Sequence, residues 1–511
     1  MYLLNVNQSP RPDVGSFRFA PRTKSILLLA ALASLLFGAK LLFIARYGSV
    51  VPFWDQWDGE AAFLYTPHLD GGLTWSALFS SHNEHRIFFT RILSLGLLHL
   101  AGEWDPVLQM VVNAAIHTAS IVLLTWLLFR ISSPDEHGLL AAVSAVIFSV
   151  PVGWENLLAG FQSQFYLLQL FAVGCFSLTV KSSAFSTPWL LGCVLAVCAY
   201  FSLASGGFCF FVVAIISGFQ LASGERSGLK EWVSIILLVA AGCICIFFVR
   251  TVDAHAPLRA HGILQFLLAF VSLAGFPFSA SVPSVVLKVF LLPVALFPAI
   301  LVWFAFLKRR LSTVDLWLPI SLLAFIEFQV ASISYGRAVG FFAPRYLDVL
   351  LMLVPAGFVI LSRLVLSPVV RWLWIAGAIG SLVYFTLTVS APQVLERAGQ
   401  TDRQMQNVKA FIATSDLAAL QNKPFLDIPY PSAERLGSLL MLPQVRAILP
   451  AELRPADQPS LEYRNSHLTH PRLYRLINIL NSFVLKVGPL LFSLGAAVLL
   501  TWTAVPSNRA G

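Results

Sequence analysis

Charge is what this chain has least of. Only 12% of its 511 residues are Asp, Glu, Lys or Arg, about half the roughly 25% usual in a soluble domain. With 57% hydrophobic residues and a mean hydropathy of +0.77, that shortage excludes a soluble globular protein and leaves an integral membrane protein with many spans. Cysteine is scarce too. All six (Cys175, Cys193, Cys198, Cys209, Cys243 and Cys245) fall in apolar segments. None has zinc-ligand spacing and no disulfide framework is indicated, so they read as small hydrophobes. Repeats and low-complexity tracts are lacking. A net charge of +9 does not imply nucleic acid here, because Lys and Arg hold cytoplasmic loops of membrane proteins inside.

What the chain does have is a series of apolar runs near the length needed to cross a bilayer, roughly 20 residues. They lie near 25–45, 106–129, 139–150, 157–180, 187–203, 207–222, 231–249, 284–306, 315–333, 347–362, 372–390 and 485–503. The expectation is an all-α polytopic membrane protein of about twelve spans. Arg11, Arg18, Arg22 and Lys24 precede the first run, which puts the N-terminal tail, residues 1–24, in the cytoplasm. The later basic loops also fall inside if 263–280, broken at Gly275-Phe-Pro277, is re-entrant or interfacial rather than a crossing. Lys40 and Lys288, near span ends, are expected to snorkel.

This topology sends 46–105, Gly153–Asn156, Ser205–Gly207, Arg250–His261, Tyr335–Tyr346 and 391–484 to the outer face. The first of these is far longer than the usual connection of about 4–6 residues. It contains two amphipathic stretches, Leu73 to Phe79 and Ile87 to Leu100, that suit interfacial helices. Residues 25–390 read as a transmembrane module, 391–484 as a small outer domain with helical periodicity around 395–420, and 485–511 as a last span with its tail.

The scarce polar residues are clustered. Val51-Pro-Phe-Trp-Asp-Gln-Trp-Asp-Gly-Glu60 places Asp55, Asp58 and Glu60 within six residues of one another. Acids at an apolar interface suit a general base for a hydroxyl, and paired acids also suit a divalent cation. His82-Asn-Glu-His-Arg86 supplies His82, Glu84, His85 and Arg86 but lacks zinc spacing. Arg86 and Arg91 at a membrane surface suit a phosphate, or lipid headgroups. Glu155 and Asn156, with Gln162 and Gln164, suit a sugar-binding wall or helix-to-helix hydrogen bonding. Arg337 and Arg345, followed by Tyr346, flank a loop with Gly336 and Gly340, and suit phosphate binding. Glu327, deeper in the preceding run, is a candidate partner for either arginine. His255 and His261 have no decisive partner.

The pattern Phe53-Trp-Asp-Gln-Trp-Asp58, His82-Asn-Glu-His-Arg86, Trp154-Glu-Asn156 with Phe161-Gln162, and Tyr335-Gly-Arg337 followed by Arg345-Tyr346 resembles a group of bacterial envelope proteins in the GT-C superfamily of polytopic glycosyltransferases. The resemblance covers roughly 25–390. It implies transfer of a sugar from a polyprenyl-phosphate-linked donor to a glycan or glycolipid acceptor at the outer face of a bacterial inner membrane. It also implies that Asp55 or Asp58 is the catalytic base, and that Arg337 or Arg345, with Arg86 in reserve, holds the donor phosphate. The chain departs from the pattern in spacing its acids Asp-x-x-Asp rather than side by side, and in following its small outer domain with another span. The absence of a glycine-rich nucleotide loop agrees with a lipid donor. Other readings are a polysaccharide polymerase or ligase, and a lipid-linked-glycan transporter or flippase. The latter should show broken helices in two matching halves and charges at mid-membrane.

Overall fold

The structure, a computed structural model, describes residues 21–504 except 281, 309–314, 341–342, 366, 456 and 469. Arg11 and Arg18 therefore lie outside the described residues. The described residues are all-α apart from one two-stranded hairpin. Among the described residues, eight helices are long and apolar enough to cross a membrane: Thr23–Tyr47, Pro106–Phe129, Ala204–Ala222, Leu229–Phe247, Trp317–Gly336, Pro344–Leu364, Pro368–Thr414 and Pro471–Trp502. A ninth is available if Val285–Ala295 and Phe297–Leu307, bent by 48° at their junction, act as one.

That is fewer than the twelve spans expected. The difference lies in short helices. The run at 139–150 forms His137–Ser149, 13 residues, and the run at 187–203 forms Thr187–Tyr200, 14 residues. At 1.5 Å per residue each rises only about 20 Å, against a hydrocarbon core of about 30 Å. The run at 157–180 is divided, with Trp154–Leu158 and a tight turn preceding Ser163–Thr179. The 263–280 stretch yields a 12-residue helix, Ile263–Ala274, and then turns.

The first and last helices lie side by side. A Cβ on Gly38 would run into the backbone of Phe492, the kind of close approach that small residues allow in membranes. Lys40, on the same first helix, does not snorkel. It is 5% exposed, and its ammonium donates to the Phe148 carbonyl at 2.8 Å. Lys288 contacts Ser272 Oγ at 3.3 Å.

Outside the main apolar core, two distant parts of the chain build a second core together. Val51, Trp57, Tyr65, Leu78 and Trp104 from the long first loop pack with Val408, Phe411, Leu436, Leu440 and Ile448 from the C-terminal segment. Trp57 and Trp104 meet edge to face at 5.1 Å, and Trp104 N donates to Ile448 O. Burying aromatics of this size contributes about 1.5–3 kcal/mol each. The helix Pro368–Phe385 runs through a widened turn, Thr386–Ser390, into Ala391–Thr414. One rod thus carries the chain from the apolar bundle into this composite unit. The two stretches read as amphipathic in the first loop contain helices Trp75–Phe79 and Phe88–Ala101. Trp75 is 73% exposed, as an interfacial anchor would be.

Candidate functional site

A cavity of about 560 Å³ sits where the composite unit meets the bundle. Its wall gathers Asp55 from the first island, His82, Glu84 and His85 from the second, Glu155 and Gln162 from the third, and Arg337, Arg345 and Tyr346 from the fourth. Phe53, Trp54, Trp154, Phe161 and Phe165 add aromatic faces. Residues far apart in sequence thereby share one concave, half-polar space of the size that takes a small organic ligand.

Local backbone chemistry aims Asp55. Trp54 takes a left-handed conformation, φ 55, and its N–H donates to Pro429 O at 2.8 Å. A bulky residue in that region is strained, and such strain persists where surroundings hold it in place. Phe53 N donates to Gln56 Oε1 at 3.0 Å, and Trp57 Nε1 donates to Pro52 O at 2.8 Å, which closes the turn. A Cβ at Gly59 would lie 2.7 Å from the Phe161 ring, so glycine lets the island seat against the cavity wall. The Asp55 side chain is 39% exposed, and its Oδ1 lies 3.7 Å from His82 Nε2. Burial raises the Asp55 carboxyl, but the adjacent His82 ring, with Arg345 and His255 beyond it, outweighs that and leaves it below the usual carboxylate range. It is therefore ionised at neutral pH and open to the cavity.

The hairpin pairs Ser81 with Arg86 and His82 with His85. Asn83, at φ 51, supplies the left-handed position of its two-residue turn, and Glu84 projects from the tip. Arg337 Nη2 donates to Glu84 Oε2 at 3.2 Å, and His255 Nδ1 lies 2.7 Å from Glu84 Oε1. Burial alone would raise Glu84, yet its hydrogen bonds to Arg337 and His255 bring it down to about 2. His85 is pushed to about 4, chiefly by burial, so it is neutral at pH 7. Arg345 Nη1 donates to Glu155 Oε2 at 3.1 Å. Both arginines thus meet carboxylates from other motifs, and Glu327 pairs with neither.

Other candidates sit outside the cavity wall. Asp58 turns away from Asp55 to the C-terminal segment, where Arg435 Nη2 donates to it at 3.1 Å and the Tyr430 hydroxyl also donates. Glu60 is 1% exposed and accepts hydrogen bonds from Gln56, Ser94, Trp104 and Gln109. Burial raises its carboxyl despite them. Arg91 donates to the Ala77, Leu78 and Ser80 carbonyls at the end of helix Trp75–Phe79, and Arg86 to Phe79 O. These two arginines organise the loop. Asn156 lies behind the wall and donates to Arg345 O and Asp348 Oδ2, both at 2.9 Å. Among the described residues no group of three or more His, Cys, Asp or Glu is arranged to hold a metal, and the two aspartates of the first island face different partners.

Sequence reasoning left His255 without a partner and did not single out Arg397. His255 completes the Glu84 cluster. Arg397, from the helix Ala391–Thr414, lines the cavity, is 8% exposed, and stacks its guanidinium 3.6 Å from the centre of the Phe53 ring. Its Nη1 donates to Gln404 Oε1 at 3.1 Å. Among the described residues, no carboxylate forms an ion pair with it. Its charge in a helix of otherwise solvated pattern offered no signal. No protein-family model, curated protein or solved structure matches this chain, so the cavity's own geometry carries the functional argument.

Proposed function

We propose that the protein is a GT-C-like membrane glycosyltransferase. It moves a sugar from a polyprenyl-phosphate-linked donor to an envelope glycan or glycolipid acceptor at the extracytoplasmic face of a bacterial inner membrane. The N-terminus is then cytoplasmic. The observation that carries this reading is the meeting of four separated motifs around one cavity, with an ionised acid open to it and arginines on its wall.

In the reaction, Asp55 takes the proton of the acceptor hydroxyl as the hydroxyl oxygen attacks the anomeric carbon. The bond from that carbon to the phosphate oxygen breaks, and polyprenyl phosphate leaves with the electron pair. Arg397, with no carboxylate of its own, and Arg345, which can exchange Glu155 for a ligand oxygen, stabilise the departing phosphate in a site of low dielectric. The aromatic wall offers faces to a sugar ring, and Gln162 and Glu155 offer hydrogen-bonding groups. A divalent cation is not required by this scheme. Asp58 holds the two halves of the outer unit together and takes no part in proton transfer.

The test is mass spectrometry of envelope glycans and lipid-linked intermediates from a strain lacking the protein, complemented with wild type or Asp55→Asn at equal expression. Restoration of a defined sugar by wild type, with the unsubstituted acceptor persisting in the variant, supports the reading. Full restoration by Asp55→Asn removes the base and overturns the mechanism. If intact lipid-linked glycan accumulates on one face of the membrane in the deletion strain, a flippase replaces the transferase.

A further inference from the structure

Behind the cavity wall, polar groups from four helices converge on a space the proposed reaction does not use. Lys40 from the first helix, His117 from Pro106–Phe129, Tyr166 from Ser163–Thr179 and Asp348 beside the Arg345 loop line a small cleft of about 50 Å³. All four are buried. The Phe148 ring closes one side, with its plane edge-on to His117 at 5.9 Å, while Tyr166 stacks on His117 at 4.2 Å.

The hydrogen bonding of these groups is incomplete. His117 is 2% exposed, and neither of its ring nitrogens has a partner. The Lys40 ammonium has three donors but, among the described residues, a single hydrogen-bond acceptor, Phe148 O. Asp348 accepts from Asn156 Nδ2 at 2.9 Å and from the Tyr166 hydroxyl, and faces Lys40 across the same cleft without a direct ion pair. Glycine at 153 is what admits the carboxylate, because a Cβ there would collide with it. Polar groups buried in this way are expected to find partners, and an imidazole with none at either nitrogen is a rare arrangement. A single water needs roughly 10–15 Å³ of such space and two to four polar partners. The cleft meets both conditions for about three waters, with the Lys40 ammonium, the His117 ring, the Tyr166 hydroxyl, the Asp348 carboxylate and the Phe148 carbonyl around it.

We propose that this cleft is a binding site for a small cluster of ordered water, which joins Lys40 to Asp348 and satisfies His117. The cluster lets an ammonium and a carboxylate coexist within the apolar bundle, where a bare charge is costly. It also has a reach into the cavity. Asp348 holds Asn156, and the same Asn156 amide group holds the main chain of Arg345. The water site is thus part of what fixes the Arg345 loop, whether or not the protein transfers sugars.

Pulsed-radiolysis hydroxyl labelling of the full protein in lipid nanodiscs, read by mass spectrometry, tests this directly, because radicals form from water already inside. Phe148 lines the cleft and, at 3% exposed, is no more exposed than the internal controls Phe129 and Phe385, both at 4%. The expected result is several-fold faster oxidation of Phe148 than of either control, falling toward the controls in His117→Phe and in Lys40→Met. Equal rates for the three phenylalanines in the wild type, whether slow or fast, overturn the proposal. So does an undiminished Phe148 rate in folded His117→Phe.

Discussion

Glu84 offers the sharpest perturbation, because its partners are defined and its carboxyl is strongly displaced. In the fold it moves from 4.5 to about 2, and its side chain is only 12% exposed. At about 1.4 kcal/mol for each tenfold change in proton affinity, the ionised form stabilises the fold by about 3 kcal/mol at neutral pH. The sign follows from the direction of the shift. A depressed carboxyl contributes fully above its unfolded value near 4.5, and the contribution is lost as pH falls toward about 2. By pH 3 about 2 kcal/mol of it should be gone. Glu84→Gln removes the titrating group but keeps a side chain of the same shape. Thermal unfolding in nanodiscs at pH 7, 5, 4 and 3 should therefore show the wild type well above the variant at pH 7. The gap should stay nearly constant to pH 5 and narrow steeply below it. Other carboxylates titrate in both proteins and cancel in the difference. Parallel curves from pH 7 to pH 3 would show that Glu84 is not held ionised by Arg337 and His255, and the cluster built on it would fall.

Three further outcomes follow from the same geometry. Asp58→Asn should leave transfer within a few-fold of wild type while weakening the outer unit by no more than about 1 kcal/mol, as for an exposed ion pair, visible as faster limited proteolysis between 415 and 470; loss of transfer with unchanged proteolysis would make Asp58 the base instead. Glu60→Ala strands four donors in a buried site, at about 1 kcal/mol or more apiece, so the purified protein should melt far below wild type; a melting point within a degree of wild type refutes the structural role. Arg397→Gln should weaken binding of polyprenyl phosphate relative to uncharged polyprenol by an order of magnitude, with Arg397→Lys intermediate. Unchanged discrimination in native mass spectrometry would move the phosphate elsewhere.

How much of this was legible beforehand depends on the range of the physics. Hydropathy is local, so the membrane-embedded all-α character followed from the apolar runs. Their ends did not, because a run interrupted by packed turns, as at 157–180, reads as continuous until the turns are seen. The candidate residues were also visible locally, since charge is scarce enough for each cluster to stand out. Their division into roles was not. Asp55 and Asp58 look alike in sequence, and only the contacts of Asp58 with Tyr430 and Arg435 separate a structural carboxylate from an open one. Lys40 reads as a snorkelling residue because its apolar neighbours are all the sequence displays; its acceptor, Phe148 O, lies 108 positions away.

The sequence by itself determined the solvent in which this protein works and the few places where chemistry can happen, because both depend on which side chains neighbour one another along the chain. Tertiary structure alone decided which of those places form one site. Glu84 meets Arg337 across 253 positions, and Glu155 meets Arg345 across 190. The first loop needs a C-terminal segment to close its core, and that segment brings Arg397 to the cavity. Such pairings depend on how helices pack in space, and no periodicity or composition within either partner encodes the distance between them.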